Sequence, residues 1–393
     1  ETGWIDKEKN EIMDLLITRG AISSVAEVNG AAECLVLRTP GTIRYLDADL
    51  PFAGVTGVTT SRIARKQGFA SRLTAQVIAE GVAEGAAVFG LGMFEQGFYN
   101  QLGFGTGAYE HWISFDPARL RVDVRARVPQ RITADDWEKV HAARLVRLRG
   151  HGSCNLTPPE LTQTDMRFAD KGFGLGYFDD AGQITHHLWC NCRDVSHGPY
   201  WVEWMSYQDY GQLLELMALL KNLGDQVHLI EMQEPAGIQL QDLIEQPFKQ
   251  QHITEKSRFE AKSKAIAHWQ VRICDLPACL DKTHLNGTPL RFNLTLSDPV
   301  ARLLPDAPCG AASWRGVSGE YVVVLGPESS AKSGRDESLP TLKASVNAFS
   351  RLWLGALPAT GLVVTDDLAG PPELLNQLDD LLRLPRPSYA WEF

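Results

Sequence analysis

Val55-Thr-Gly-Val-Thr-Thr60, then Arg65-Lys-Gln-Gly-Phe-Ala70, then Ser71–Glu84: these three segments decide how the chain is read. The first is rich in β-branched residues and reads as a strand. The second is a basic loop around Gly68. The third reads as a helix, because Leu73, Val77, Ile78 and Val82 recur on one face. Strand, glycine-bearing basic loop and helix N-terminus together form a seat for phosphate. Unpaired backbone N–H groups point out of the first helical turn, and the helix dipole favours negative charge there. Gly68 lets the main chain approach a ligand and Ala70 keeps the approach open, while Arg65 and Lys66 add charge at the rim. Alone, Arg-x-x-Gly-x-Ala is a weak pattern, since an exposed basic turn before a helix is its commoner origin.

Working outward, a second strand, Ala87–Met93, runs into Phe94-Glu-Gln-Gly-Phe-Tyr-Asn-Gln-Leu-Gly-Phe-Gly105. Upstream, Ile5–Thr18 reads as a helix with Ile5, Ile12, Met13 and Leu16 inward, and the sequence supports a second early helix only weakly. Downstream come a strand-like Tyr109–Phe115 and an alternating Leu120–Val128. A helix over 134–148 then starts at Thr133, with Asp135 and Asp136 in its first turn. The middle block continues with strands Gly172–Phe178, Ile184–Cys190 and Tyr200–Trp204, helix 210–222 and strand Val227–Met232. The polar run Lys249–Lys264 marks a joint. Beyond it lie the alternating His268–Ile273, strands Arg291–Leu296 and Tyr321–Leu325, a polar loop Ser329–Ser338, and helices Leu342–Trp353 and Pro372–Leu382. The blocks predict domains 1–117, 118–264 and 265–393, the first two α/β with mixed sheets and the last α+β.

The length of 393 residues suits two or three domains. With 44% hydrophobic, 22% charged and 9% aromatic residues, the chain has the composition of ordinary globular proteins, which excludes disorder, collagen-like repeats and a small disulfide scaffold. No apolar run approaches the roughly 20 residues that span a bilayer, so no membrane partner is expected. Against 38 basic residues stand 48 acidic ones, a formal charge of −10 that argues against a nucleic-acid partner and favours a cationic substrate. Seven cysteines are too few, and odd in number, for a disulfide framework. With no signal-peptide pattern in a sequence that opens at Glu1, a reducing cytoplasm is the expectation.

Other motifs carry less. His186-His-Leu-Trp-Cys-Asn-Cys192 contains metal-ligand types, but a strand would split them between two faces, and no second cluster stands at zinc spacing. No metal is expected. Gly172-Phe-Gly-Leu-Gly176 is followed by no helical pattern, and Ser206-Tyr-Gln-Asp-Tyr-Gly211 lacks basic residues, so the middle domain is expected to hold no cofactor. The terminal Tyr389-Ala-Trp-Glu-Phe393 is too apolar for a tail meant to stay in water.

Tyr99 stands four residues before Gly103-Phe104, about 30 after the Gly68 loop. This resembles the way GNAT acetyltransferases close their acetyl-CoA half. The pattern Glu-x-Gly-x-Tyr-x-x-x-Gly-Phe-Gly, the length and the Trp391-Glu-Phe393 terminus are similar to the Eis (enhanced intracellular survival) acetyltransferases, and Val58 to Tyr99 matches them without gaps. The resemblance implies an N-terminal GNAT domain, a second, degenerate GNAT-like domain and a sterol-carrier-protein-like C-terminal domain. It implies acetyl-CoA as co-substrate, a primary amine of aminoglycoside, polyamine or lysine type as acceptor, and a homo-oligomer, hexamers being common. By likeness, backbone groups of Val58, Thr59 and Thr60 hold the acetyl and pantetheine arm. Lys66, Gln67, Gly68, Phe69, Ala70 and Ser71 take the pyrophosphate, and Phe94 and Glu95 lie beside the cofactor. Tyr99 is then the general acid and the Phe393 carboxylate the base. The chain departs from the family in carrying only about 54 residues before the Val55 strand, the region that shapes the acceptor side.

These residue types suit the chemistry. Amine attack on a thioester releases a thiolate, whose conjugate acid has a pKa of about 8.5, and a phenol near ~10 can give it a proton. A terminal carboxylate at ~3.3–3.7 is a poor match to neutral pH. Burial can raise it, or it can work through water while orienting the ammonium. The rival reading is a protein that binds a lipid or other apolar ligand and keeps a vestigial GNAT domain. An intact Gly68 loop and Tyr99 speak against that.

Overall fold

The computed structural model describes residues 10–304 and 313–391. A short helix, α1 (Asn10–Leu15), passes into a π-helical turn over Leu16–Gly20. Where the sequence left room for a second early helix stand β1 (Ile22–Val28) and the long β2 (Ala31–Tyr45), followed by β3 (Ala48–Thr60). The middle of β2 hides its alternation because Val36, Leu37, Arg38 and Thr39 are all buried. Then come α2 (Phe69–Ala83), β4 (Val88–Gly92), the single-turn α3 (Gln96–Asn100) and β5 (Gly105–Thr106). Helix α2 lies on the sheet through Leu73, Ala75, Val77, Ile78 and Ala79. At its far end Arg38, 3% exposed, grips Glu84 with two hydrogen bonds of 2.7 Å.

The middle of the chain supplies β6 (Glu110–Phe115), β7 (Gln130–Ile132), α4 (Trp137–Leu145), β8 (Cys154–Leu156) and α5 (Pro159–Phe168). Next are β9 (Phe173–Phe178), β10 (Ile184–Cys192), β11 (Tyr200–Ser206), α6 (Tyr210–Asn222), β12 (Ile230–Gln233), α7 (Pro247–Thr254) and β13 (Lys262–Ile266). Leu120–Val128 forms no strand beyond one bridge, Leu120 to Ile244; its alternation comes from Leu120 and Val122 dipping into the core. The polar run Lys249–Lys264 is occupied by most of α7 and the start of β13.

The last part contributes β14 (Trp269–Ile273), α8 (Leu276–Asp281), β15 (Leu290–Ser297), β16 (Gly319–Leu325) and β17 (Ser330–Ser333). It ends with β18 (Thr341–Ser345), α9 (Val346–Trp353), α10 (Ala359–Thr365), β19 (Leu368–Ala369) and α11 (Pro372–Leu381). The helix expected from Leu342 begins only at Val346. Residues 341–345 pair as a strand, and Ser345 caps the helix by accepting from the Ala348 N–H at 3.2 Å. Within the expected loop Ser329–Ser338, β17 pairs with β16.

Three sheets result. The first runs β1-β2-β3-β4-β14-β5, with β8 also on β2; the second runs β13-β6-β12-β11-β10-β9-β7; the third runs β17-β16-β15-β18-β19. Besides the excursion through β8, the chain crosses between the first two sheets twice, side by side. It leaves at 107–109 between β5 and β6, and returns at 267–268 between β13 and β14. One continuous core joins the first and third sheets, from Phe52 and Val88 through Trp269 and Phe292 to Trp353. Tyr45 stacks on Trp353 at 4.6 Å and donates its hydroxyl to the Trp353 carbonyl at 3.0 Å. The second sheet keeps a core of its own around Phe115, Leu188, Leu216 and Ile230.

Candidate active site

Strands β3 and β4 are parallel and in register from Phe52–Val88 to Val55–Leu91, and there the ladder stops. β3 continues to Thr60 against β2 while β4 ends at Gly92, which opens a notch. Leu37 pairs with Thr56 and Leu35 with Thr59, so Gly57 and Val58 together face one residue, a bulge that re-aims the strand end. Gly57 sits at φ 58, where a side chain would be strained and its Cβ would meet Leu37 at 2.6 Å. The half-buried Val58, Thr59 and Thr60 thus line the diverging edge.

The loop leading to α2 turns through Lys66 at φ 60 and Gly68 at φ 77. Gly68 caps α2 in the left-handed conformation and brings no side chain to its first turn, and the Arg72 N–H donates to the Gly68 carbonyl at 3.1 Å. The N-terminal amides of α2 at Phe69, Ala70 and Ser71 therefore have no side-chain cap. A Cβ at residue 68 would meet Arg72 Nη1 at 3.1 Å. Arg72 also donates to the Gln67 carbonyl at 3.0 Å and stacks over Phe69 at 5.2 Å. It is a further cation at the loop, not singled out by the sequence because it falls inside the helix pattern. Lys66 and Gln67 are exposed. This uncapped turn, cradle and rim of cations fit a diphosphate.

Tyr99 lies in α3, whose N-cap is Glu95: its carboxylate accepts from the Gly97 and Phe98 N–H groups at 3.1 and 2.7 Å. Glu95 is thus engaged locally, whereas Phe94 beside it is 100% exposed. Tyr99 is 8% exposed and meets Phe98 and Phe104 edge-on at 4.9 and 6.3 Å. Burial pushes its phenol above the ordinary value, so it holds its proton at neutral pH.

The C-terminal tail comes to the same end of the first sheet. The Tyr389 hydroxyl donates to the Gln270 carbonyl at 2.6 Å, and the Gln270 and Asn100 side-chain amides meet at 2.8 Å, which ties the tail to the helix carrying Tyr99. Gly90 makes room, since a Cβ there would meet Tyr389 Oη at 2.1 Å. Trp391 lies under Arg144 at 3.8 Å, and Arg147 donates to the Ala390 carbonyl at 3.1 Å. Phe393 itself lies outside the described residues. Gln270 and the arginines gave no signal in the sequence, because they stand well over a hundred residues from their partners.

The histidines of β10 are engaged elsewhere. His186 Nε2 meets Glu215 at 3.1 Å, and Trp204 donates to His187 Nε2 at 3.1 Å. Cys190 and Cys192 are buried free thiols.

Residues 14–107 match the acetyltransferase (GNAT) domain family. No curated protein matches the sequence. Among solved structures, a probable N-acyltransferase of Enterococcus faecalis superposes with a TM-score of 0.76 at 18% identity, over 99% of this chain and 93% of the other. A GCN5-related N-acetyltransferase of Anabaena variabilis gives 0.72 at 13%, covering 94% and 89%, and Eis1 of Mycobacterium abscessus gives 0.72 at 16%, covering 97% and 92%. At such identities the likeness establishes a shared fold across all three sheets. With the notch, the uncapped helix and the matched segment in one place, the chain is an enzyme built on a GNAT acetyltransferase domain.

Proposed function

We propose that the chain transfers an acetyl group from acetyl-CoA to a primary amine, as an Eis-like enzyme. The observation that carries this is Gly68 capping α2 without a side chain, one short loop beyond the point where β3 and β4 part. The amides of residues 68–71, with Lys66 and Arg72, would hold the diphosphate. The edge Val58–Thr60 would hold the pantetheine arm, with Phe94 beside it. Bound acetyl-CoA supplies an activated acyl group. The protein brings the amine to it, which is a large part of the acceleration, and controls two protons. Tyr99, kept protonated by burial, gives one to the departing sulfur. The Phe393 carboxylate draws the other from the amine, directly or through a neighbouring group. The cationic acceptor, whether aminoglycoside, polyamine or lysine, accords with the charge of −10.

The division at 117 and 264 into a GNAT domain, a degenerate GNAT-like domain and a sterol-carrier-like domain belongs to the same proposal, with β6 and β14 exchanged across the joints. So do a cytoplasmic setting and a homo-oligomer, the latter checked by mass in solution. The deciding experiment is thiol release from acetyl-CoA against a panel of amines, with calorimetric titration of acetyl-CoA alone. Absence of acetyl-CoA binding, with a thermal shift on fatty acyl ligands instead, would favour the vestigial-domain reading.

A further inference from the structure

The two crossings between the first and second sheets bring an acid and an imidazole together. Glu110 opens β6 and His268 stands just before β14; His268 Nε2 lies 3.3 Å from Glu110 Oε2. The Glu110 side chain is 5% exposed, and its other oxygen accepts from the Ser388 hydroxyl at 3.1 Å. His268 keeps 35% of its side chain exposed. Both border a cavity of about 240 Å³ whose wall includes Gly92, Trp269, Tyr389 and Trp391. Gly92 is the end of β4 at the notch and stands in register with Trp269, the neighbour of His268. The Met93 N–H donates to the His268 carbonyl at 2.7 Å. The main chain of His268 is therefore tied to the strand end where the notch opens, and its side chain borders a cavity that also receives the tail. A second acid–imidazole pair, His186–Glu215, is closed off by Arg127, which binds Glu215 at 2.8 and 2.9 Å.

The geometry points to His268, oriented by Glu110, as the proton acceptor for the amine. This rests on the transfer reading above and names the group beside the tail. The carboxylate facing Nε2 favours the proton on that nitrogen, and in this proposal the lone pair is then on Nδ1. An imidazole is a stronger base than a carboxylate, which suits it to take a proton from an ammonium. In the balanced step, the ammonium gives one proton to Nδ1 and the freed lone pair forms a C–N bond to the acetyl carbon. The C–S bond breaks, and the sulfur leaves with that electron pair. Tyr99 gives its phenolic proton to the sulfur, and the nitrogen's second proton passes to the resulting phenolate, directly or through water, which restores Tyr99. The products are N-acetylamine and free thiol, and the imidazolium returns its proton to solvent.

The test compares two acceptors in the full chain: spermidine, whose amines are protonated at neutral pH, and hydroxylamine, which is largely unprotonated there. His268→Gln is expected to lower the spermidine rate by ~100-fold, the scale of general-base catalysis, with the hydroxylamine rate and the acetyl-CoA Kd within twofold of the parent. Glu110→Gln should follow the same pattern more weakly. Equal losses with both acceptors, or no loss with either, would overturn the assignment, the former meaning that His268 only supports the fold. A parent chain that binds acetyl-CoA but acetylates neither probe sinks the transfer reading and this inference with it. Hydroxylamine turnover that survives in His268→Gln keeps the transfer reading standing by itself.

Discussion

The chain builds one kind of notch twice and equips the two differently. In the first sheet, β3 and β4 part after Val55–Leu91, and the helix that follows starts at a bare glycine in left-handed conformation. In the second, β11 and β12 run parallel from Tyr200–Ile230 to Val202–Met232 and then part. The helix after β11 starts at Asp209, whose carboxylate accepts from the Gln212 N–H at 2.9 Å. An anionic side chain already occupies the positive end of α6, so the same dipole that favours phosphate in one place is satisfied internally in the other. The second opening also takes up the chain's own tail: Ser388, Ala390 and Trp391 border the cavity there, beside Trp204 and Met232. A repeated architecture thus separates into one notch fitted for a ligand and one fitted for structure, and the difference turns on a single cap residue and a loop charge.

That contrast can be broken most forcefully at Gly68. Gly68→Asp places a carboxylate where the second notch has one, and it should weaken acetyl-CoA binding by more than 100-fold in calorimetric titration. Retained affinity would remove the loop from the site. Next in size, Tyr99→Phe should lower kcat by ~100-fold, the range for loss of a general acid, with acetyl-CoA affinity unchanged; unaltered turnover in a thiol-release assay would take Tyr99 out of the mechanism. On the other notch, Asp209→Ala should cost about 1 kcal/mol of stability, as cap losses do. It should leave acetyl-CoA binding at one site per chain, and a second site appearing by titration would show that the cap alone keeps the two apart.

The smallest effect is with acid. Every histidine of the chain lies beyond residue 110. Burial lowers His141 and His151 to about 4 and His187 to about 3. Each stays neutral in the folded chain where the unfolded chain would take a proton near ~6.5. The stability this gives is present above that value and is lost as pH falls toward 4. Hydrogen exchange at pH 5 should therefore loosen α4, β10 and the turn at Leu46, whose N–H donates to His151, before α2 and β4. Equal protection of the two sets would contradict this.

Much of the first notch was legible because its parts are adjacent in sequence. The basic loop, Gly68, the α2 stripe and Tyr99 fall within 35 residues and obey local rules of strand, cap and helix. Leu342–Trp353 misled because Leu342, Val346, Phe349 and Trp353 recur at helical spacing, while pairing with β15 makes Thr341–Ser345 a strand. Leu120–Val128 alternates because an irregular segment dips twice into a core. Arg272, fully buried and paired with Asp298 at 2.5 Å beside the Leu102 carbonyl, could not have been foreseen at all.

By itself, then, the sequence determined the glycine cap and bare helix start proposed to hold the diphosphate, since these need only neighbouring residues. It also determined that the tail must dock, because its aromatic residues are costly to leave in water. Only the tertiary structure decided where the tail docks, that β14 returns to the first sheet, and that Glu110 meets His268. The physical reason is that strand pairing and buried polar contacts are settled between segments far apart in the chain. Local pattern says which edges and polar groups need partners, and packing chooses them.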